Sequence, residues 1–174
     1  FHAWMEHQRI VDNLVNLAAE GKLDKEKLGL IGIDDVNAIS SDGHTVLTKA
    51  AEKDKFTVVR HLLTIDGINV DYKVKPTETT ALMYAANNGD IHTTELLLHH
   101  ATVNLQNALG ETALMIAVQE RKEDVANMLL DFKANVNLQN ALGQTALMIA
   151  ASVADEHFHP WATDSLLIIN VYKQ

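Results

Sequence analysis

Two segments of this chain are almost identical at a distance of 33 residues, and this repetition restricts the fold more than any other feature. Residues 104–117, which read NLQNALGETALMIA, return as residues 137–150 with a single change, Glu111 to Gln144. Weaker copies lie upstream, at 80–86 and 45–51, so that the conserved threonines are spaced by 35, 32 and 33 residues. A period of this length predicts a stack of small units, none of which buries its apolar face alone.

One unit, residues 110–142, shows how the repeat is built. Gly110 allows a positive backbone angle in a tight turn, and Thr112 can cap a helix by accepting a hydrogen bond from a free backbone N–H. Apolar residues at helical spacing then predict a first helix over 113–118 and a second over 125–130. Residues 134–140 are predicted to form an extended segment with a turn that connects one unit to the next.

The Gly-x-Thr-x-Leu start, the Ala-Ala and Leu-Leu pairs and the closing Asn resemble the ankyrin repeat over residues 10–152. The resemblance implies an all-α fold, an ankyrin-repeat solenoid of stacked helix-turn-helix units with β-hairpin fingers. It also implies one domain over 1–174, divided into an N-terminal cap repeat (1–42), three repeats (43–77, 78–109, 110–142) and a C-terminal cap repeat (143–174).

The chain departs from the family pattern at several positions. Thr-Ala-Leu-Met stands three times where Thr-Pro-Leu-His is usual, and we expect the methionines to pack in the core between repeats. The usual Gly after the second helix is replaced by Lys133 and, in another unit, around Ala101. Where a left-handed cap is needed, this replacement costs up to ~1 kcal/mol. The methionines concerned are Met83, Met115 and Met148, together with Met128 on a second helix.

The two ends are degenerate versions of the unit. Residues 5–20 predict a long amphipathic helix, 23–31 a shorter one and 34–37 a finger-like turn. At the other end, 157–160 (HFHP) form an insertion where a simple turn belongs, followed by a closing helix over 161–172. We expect Trp4 and Trp161 to cover the core at the two caps.

The charge balance bears on the partner. The net charge is −9, and residues 78–174 hold 11 acids and 4 bases, against 12 acids and 10 bases in residues 1–77. Such a surface disfavours nucleic acid, which requires clustered Lys and Arg. No apolar run approaches the ~18 residues of a membrane span, so we expect no membrane insertion. There is no cysteine, which excludes disulfides and thiolate metal sites.

No sequence motif indicates catalysis. A Gly-rich phosphate loop, a Gly-x-Ser-x-Gly elbow and a His-Glu-x-x-His helix are all missing, and we expect neither an enzyme nor a cofactor. The pairs His99/His100 and His157/His159 raise a metal site as an alternative to ordinary surface histidines. An aromatic cage for a methylated lysine is a further alternative, although its candidate rings are scattered over different repeats. Those rings are Tyr72, Tyr84, Trp4 and Trp161.

In ankyrin arrays the variable positions around the turn Gly and late in the first helix line the concave face. Leu109 and Leu142 stand out among them, because fingertip residues are usually polar or Gly. Two readings remain open: the leucines anchor a partner, or each packs against its neighbouring finger. The resemblance implies a partner-binding surface of Lys53, Tyr72, Lys73, Asn87, Asn88, Leu109, Glu111, Gln119, Glu120, Leu142 and Gln144.

Charge is distributed unevenly along the array. Lysines gather in the first full repeat and its finger, and acids follow two repeats later. Either the array carries a charge gradient that orients an elongated ligand, or these side chains form a solvated surface without function. The two groups are Lys49, Lys53, Lys55, Lys73 and Lys75, and Glu111, Glu120, Glu123 and Asp124.

The resemblance implies a module that binds another protein through its fingers and first-helix face. One alternative is the docking or targeting part of a larger enzyme or effector, since the chain opens with Phe1 and reads as a fragment. A second alternative is a dimer formed through the C-terminal helix, although we expect a monomer. We expect an intracellular, cytoplasmic location, which for a bacterial effector is the host cytoplasm.

Overall fold

The computed structural model describes residues 2–28 and 32–155 of the chain. Ten helices lie within these residues. Helices α1 to α5 span His2–Ala19, Lys25–Leu28, Ile33–Val36, Val46–Glu52 and Phe56–Leu62. Helices α6 to α10 span Ala81–Asn88, Ile91–Leu98, Ala113–Gln119, Glu123–Asp131 and Ala146–Asp155.

The helices form two layers. In the inner layer α1 packs on α4, α4 on α6, α6 on α8 and α8 on α10. In the outer layer α2 contacts α5, α5 contacts α7 and α7 contacts α9. In the three full repeats the inner helix packs on the outer one that follows it, α4 on α5, α6 on α7 and α8 on α9. The predicted stack of helix pairs is therefore confirmed.

The core between neighbouring inner helices is made of small and medium side chains. Ala50, Ala85 and Ala117 are fully buried, which lets the helix backbones approach closely. Met83 and Met115 are buried as predicted. Met128 is partly buried and packs against the core edge.

Met148 does not follow this pattern, and its predicted core position is wrong. Its side chain is 53% exposed. It lies on α10, the last described inner helix. No described helix packs against the side of α10 that faces away from α8.

Each inner helix from α4 onward begins at a threonine cap. The hydroxyl oxygen of the threonine accepts a hydrogen bond from the backbone N–H three residues later, at 3.3 Å for Thr45, Thr80 and Thr112 and at 3.4 Å for Thr145. This bond satisfies one of the N–H groups that a helix start leaves unpaired. The helices therefore begin cleanly at a valine or an alanine without the proline that is usual in the family.

The two positions at which glycine is replaced after a second helix differ in backbone conformation. Lys133 adopts a left-handed conformation with φ of 63°, so the expected cost of a side chain applies there. Ala101 is not among the residues with positive φ, so no left-handed cap is needed there and the cost does not arise. The chain leaves α7 in a right-handed turn, in which the N–H of Ala101 bonds to the carbonyl of Leu97 at 2.7 Å.

The described fingers are tight turns without paired β-strands, and the predicted β-hairpins are not confirmed. Within the described residues, pairing is limited to one isolated antiparallel bridge, Val74 to Thr79. At the next two fingers an asparagine side chain accepts backbone N–H groups of the turn. Two backbone bonds close each loop: Asn107 N to Glu111 O at 3.0 Å and Gly110 N to Asn107 O at 2.9 Å, repeated as Asn140 N to Gln144 O and Gly143 N to Asn140 O at the same distances. The side chain thus replaces strand pairing.

The N-terminal cap differs from its prediction in two ways. Trp4 is 64% exposed, so the prediction that it covers the core is wrong. The 18-residue helix α1 packs on a helix of seven residues, and its buried face begins at Val11. The predicted finger over 34–37 is instead the single helical turn α3. The predictions for 157–160, 161–172 and Trp161 fall outside the described residues.

Candidate functional site

Two hollows lie side by side between the inner helices and their fingers. The first, of about 250 Å³, lies between α6 and α8. The second, of about 350 Å³, lies between α8 and α10. Gln119 lines both, so they form one continuous surface, which we call the groove. The first hollow is lined by Thr79, Met83, Tyr84, Asn87, Asn107, Glu111, Ile116, Gln119 and Glu120. The second is lined by Gln119, Arg121, Gln144, Ile149, Ser152 and Val153.

The position of Glu111 in the groove is set by Asn107. The Asn107 side-chain oxygen accepts hydrogen bonds from the N–H groups of Leu109 and Glu111, both at 2.9 Å. Its side-chain nitrogen donates to Glu111 Oε2 at 2.9 Å. The finger therefore holds both the backbone and the carboxylate of Glu111.

The next finger repeats this arrangement with Gln144. Asn140 accepts from the N–H groups of Leu142 and Gln144 at 3.0 and 2.9 Å and donates to Gln144 Oε1 at 3.2 Å. The Gln144 amide oxygen thus takes the place of a carboxylate oxygen. The two fingers differ in charge but share their hydrogen-bond pattern.

The tips of both fingers present leucine. Leu109 is 62% exposed and Leu142 is 81% exposed. The fingers are tied through the backbone instead, by a bond of 2.8 Å from Ala141 N to Leu109 O. This geometry favours the reading in which both side chains are available to a partner.

The N-terminal end of the same face carries an internal ion network. Lys49 Nζ lies 2.8 Å from Asp42 Oδ2 and 3.0 Å from Glu52 Oε2, and the lysine side chain is only 14% exposed. Burial raises the pKa of the Asp42 carboxyl, but hydrogen bonds from Lys49 and Ser40 outweigh burial and bring it to about 2. Burial likewise opposes ionisation of Glu52, and Lys49 again prevails, so its pKa is lowered. The carboxylates here are neutralised from within the chain.

His44 and Tyr84 connect this network to the groove. Their ring centroids lie 5.7 Å apart, and His44 Nδ1 lies 3.3 Å from the Thr48 hydroxyl. Burial and the charge of Lys49 lower the pKa of His44. Burial and the charge of Glu52 raise the pKa of Tyr84, which therefore remains a neutral phenol at ordinary pH.

Three of the residues predicted to bind a partner tie neighbouring repeats together. The Tyr72 hydroxyl donates to Gly43 O at 3.2 Å. Lys73 Nζ donates to Gln106 O at 2.6 Å and approaches Glu78 Oε2 at 3.4 Å. Asn88 Nδ2 donates to the carbonyls of Ala51 and Glu52, both at 3.1 Å. None of the three is among the residues that line the two hollows.

Most of the other predicted residues line the groove or stand at its fingertips, but Lys53 lines neither hollow. Lys53 stands at the end of α4 and pairs with Glu52 at 3.3 Å. The remaining residues comprise four in the first hollow, one in the second and the two fingertip leucines. Asn87, Glu111, Gln119 and Glu120 line the first hollow, Gln144 lines the second, and Leu109 and Leu142 are at the fingertips.

Tyr84 and Asn107 were not among the predicted partner-binding residues. Tyr84 is four residues after its capping threonine, where the neighbouring repeats have Lys49 and Ile116. That position varies from repeat to repeat, which is the signal that marks a groove residue. Asn107 repeats as Asn140, and its constancy reflects its bond to the finger backbone.

The suggested charge gradient is weakened because several of its lysines form ion pairs with acids of the same chain. Lys49 is bound by Asp42 and Glu52, and Lys73 and Lys75 both contact Glu78. Glu123 and Asp124 belong to the first turn of the outer helix α9. By contrast, no Lys, Arg or His within the described ranges comes within 4.0 Å of the carboxylates of Glu111 and Glu120.

The described residues do not assemble the other sites that the sequence raised. Over 2–28 and 32–155, no group of three or more His, Asp or Glu side chains is arranged to hold a metal ion. Tyr84 lines the groove, Tyr72 bonds to the preceding finger and Trp4 is on the N-terminal helix, so these three rings do not converge. No helix in that part of the chain is both long and apolar enough to cross a membrane.

Stacked helix pairs with a lateral groove define a helical repeat solenoid. Comparison with protein families gives the particular family: the model for ankyrin repeats (3 copies) matches residues 3–107 and 82–162. The chain belongs to the ankyrin repeat family. Ankyrin repeats are generally protein–protein interaction modules, and the family is typically non-catalytic.

Proposed function

We propose that this chain binds a partner protein along the groove and across the fingertip leucines Leu109 and Leu142. The observation that carries the proposal is the continuity of the two hollows through Gln119, next to two large apolar side chains left exposed. Exposed apolar side chains beside a polar groove are typical of protein interaction sites.

The shape of the groove supports an extended partner segment. Each hollow lies between consecutive inner helices, so the lining repeats with the array: Glu111 and Gln119 recur as Gln144 and Ser152. A ligand that runs along the array meets one hollow per repeat. Two side chains of an extended peptide would occupy the two hollows, and a third apolar one would contact the leucines.

We propose that the chain binds its partner without catalysing a reaction. We also propose a monomer in an intracellular, cytoplasmic setting, with one domain over 1–174 and repeats divided at 42, 77, 109 and 142. Light scattering tests the oligomeric state, since a monomer keeps a mass near 19.2 kDa at all concentrations.

The binding surface is tested by a pull-down with a matched pair of variants. Leu109→Arg/Leu142→Arg places two charges at the fingertips, and Ile10→Arg/Ile39→Arg makes the same change at two exposed apolar residues of the N-terminal cap repeat. Circular dichroism first establishes that the parent and both variants fold alike.

The proposal expects a protein that the parent and the Ile10/Ile39 variant retain and that the fingertip variant loses. Hot-spot residues account for most interface energy, so the loss is expected to be at least tenfold. Equal retention by both variants, or no specific retention by the parent, contradicts a binding site at the fingers.

A further inference from the structure

The first and third full repeats place carboxylates on the same face but balance them differently. In the first, Lys49 stands four residues after the capping threonine, and its ammonium lies between Asp42 and Glu52 at 2.8 and 3.0 Å. In the third, Ile116 holds the position of Lys49. Leu109 and Gln119 stand in place of Asp42 and Glu52, so the cation and both of its carboxylate partners are replaced by uncharged side chains.

The carboxylates of the third repeat stand at other positions, where Glu111 and Glu120 replace His44 and Lys53 of the first. Glu111 precedes the capping threonine, Glu120 follows α8, and both line the first hollow. As described above, neither has a cationic side chain within 4.0 Å in the described part of the chain. Two negative charges beside a partly enclosed volume favour a positive charge from outside, because water screens them less there than on an open surface.

The walls of the hollow suit the stem of a long cationic side chain. Tyr84 is half-buried and lines the α6 side of the hollow, and Ile116 is half-buried and lines the α8 side. Lysine and arginine place their methylene groups on such apolar surfaces, and a cation gains further from an aromatic face. Asn87 and Gln119 add side-chain amides at the rim. The volume of about 250 Å³ is sufficient for one such side chain.

We infer that the hollow between α6 and α8 receives a lysine or arginine side chain from a basic segment of the partner protein. This inference rests on the proposed function, and it adds the chemistry of the ligand. The hollow, the tyrosine that lines it, and two carboxylates with no cationic side chain within 4.0 Å in the described part of the chain together favour this occupant. The surrounding charge agrees, because residues 78–174 carry 11 acids against 4 bases and attract a basic segment over distance.

The chain supplies its own isostere for the test. Gln144 keeps the bond from Asn140 that Glu111 receives from Asn107. Glu111→Gln therefore removes charge without disturbing the finger. The test variant is Glu111→Gln/Glu120→Gln, and the control is Glu95→Gln/Asp131→Asn, which removes the same charge from exposed sites on the outer helices α7 and α9.

The probe is N-acetylarginine amide, titrated into the ¹⁵N-labelled chain at low ionic strength, with the uncharged N-acetylcitrulline amide as its matched control. We expect saturable amide shifts at Asn87, Glu111, Gln119 and Glu120. The apparent affinity for citrulline should be about three- to fivefold weaker, the size of a solvent-accessible ion pair. Glu111→Gln/Glu120→Gln should weaken arginine binding by a similar factor, and Glu95→Gln/Asp131→Asn should not.

Three results overturn the inference: no arginine-dependent shifts in the groove, equal binding of citrulline, or an unchanged affinity in the Glu111/Glu120 variant. Spectra of unchanged dispersion show that each variant is folded. If the inference fails while the fingertip variant still loses the partner in the pull-down, the groove binds a protein but not through a cation. If both fail, the proposed function fails as well.

Discussion

Glu111 and Gln144 occupy the same place in consecutive repeats, and each accepts a hydrogen bond from the asparagine four residues before it, at 2.9 and 3.2 Å. A carboxylate and a carboxamide are therefore equivalent acceptors in this finger. The asparagine is structural, and the residue it contacts is free to vary with the ligand.

This equivalence predicts different effects for two substitutions in one finger. Glu111→Gln should change the free energy of unfolding by less than ~0.5 kcal/mol, since the acceptor is kept. Asn107→Ala should lower it by about 1–2 kcal/mol, because two backbone N–H groups lose their acceptor. Urea denaturation measures both. A loss of stability in Glu111→Gln comparable to that in Asn107→Ala would show that the charge, and not only the acceptor, stabilises the finger.

A second prediction concerns the glycines of the two duplicated fingers. Gly110 and Gly143 have nearly the same φ, 73° and 74°, so alanine is strained at both by about 1 kcal/mol. At Gly110 a Cβ atom would also lie 2.9 Å from Ala141 N, whereas at Gly143 it meets no described atom within 4 Å. Gly110→Ala should therefore destabilise by about 1–3 kcal/mol more than Gly143→Ala.

Thermal or urea unfolding of the two glycine variants, side by side, checks this difference. The Gly143 variant is the control for the backbone angle alone. Equal destabilisation would mean that the next finger shifts to make room for the added methyl group, and that the fingers are less firmly packed than the structure indicates.

A third prediction separates two adjacent asparagines at the end of α6. Asn88 donates to two carbonyls of the preceding repeat, and Asn88→Ala should lower the free energy of unfolding by about 1 kcal/mol. Asn87 lines the groove and is exposed, so Asn87→Ala should leave stability within ~0.5 kcal/mol and weaken arginine binding in the titration above. The opposite assignment of the two effects would contradict the geometry.

The fourth prediction is a pH dependence from Asp42. Its folded pKa of about 2 lies below the ordinary 3.8, so its contribution to stability is present above about pH 4 and lost as the pH falls towards the folded pKa. The side chain is 49% exposed, and solvent screening reduces this contribution to about 1 kcal/mol. Asp42→Asn should thus be less stable than the parent at neutral pH and nearly equal to it at about pH 2.

Urea midpoints at a series of pH values measure this difference, with Asp66→Asn as the control at an exposed aspartate. The deficit of Asp42→Asn should shrink steadily on acidification. A deficit that stays constant from neutral pH to about pH 2 would mean that Asp42 stabilises the fold without its charge.

The repeat period, the helix pairs and the threonine caps could be predicted because they depend on local sequence. The roles of Asn87 and Asn88 could not, since adjacent helical residues point about 100° apart and only the packing shows which one faces the previous repeat. Trp4 and Met148 were misplaced for a related reason. Each matches the apolar pattern of its helix, but an apolar side chain is buried only where another element covers it.

Tyr72 and Lys73 show a second limit of sequence reasoning. Both were assigned to the partner surface through the resemblance to ankyrin arrays. In the structure both reach a neighbouring finger, the hydroxyl of Tyr72 to Gly43 O and the ammonium of Lys73 to Gln106 O. A repeat array brings a carbonyl of the adjacent unit within reach of such side chains, and the sequence of one unit does not show it.

Several ties between fingers point the same way along the chain. Lys73 donates to Gln106 O, and Gln106 donates to Gln139 O, one repeat further on. The side chain of Asn104 accepts a hydrogen bond from the backbone N–H of Asn135, so here too the side chain belongs to the earlier repeat. In each case the earlier repeat provides the side chain and the later repeat only its main chain. The receiving positions can therefore mutate to almost any residue that keeps the backbone group, so a duplicated unit is able to diverge while it remains attached to the unit before it.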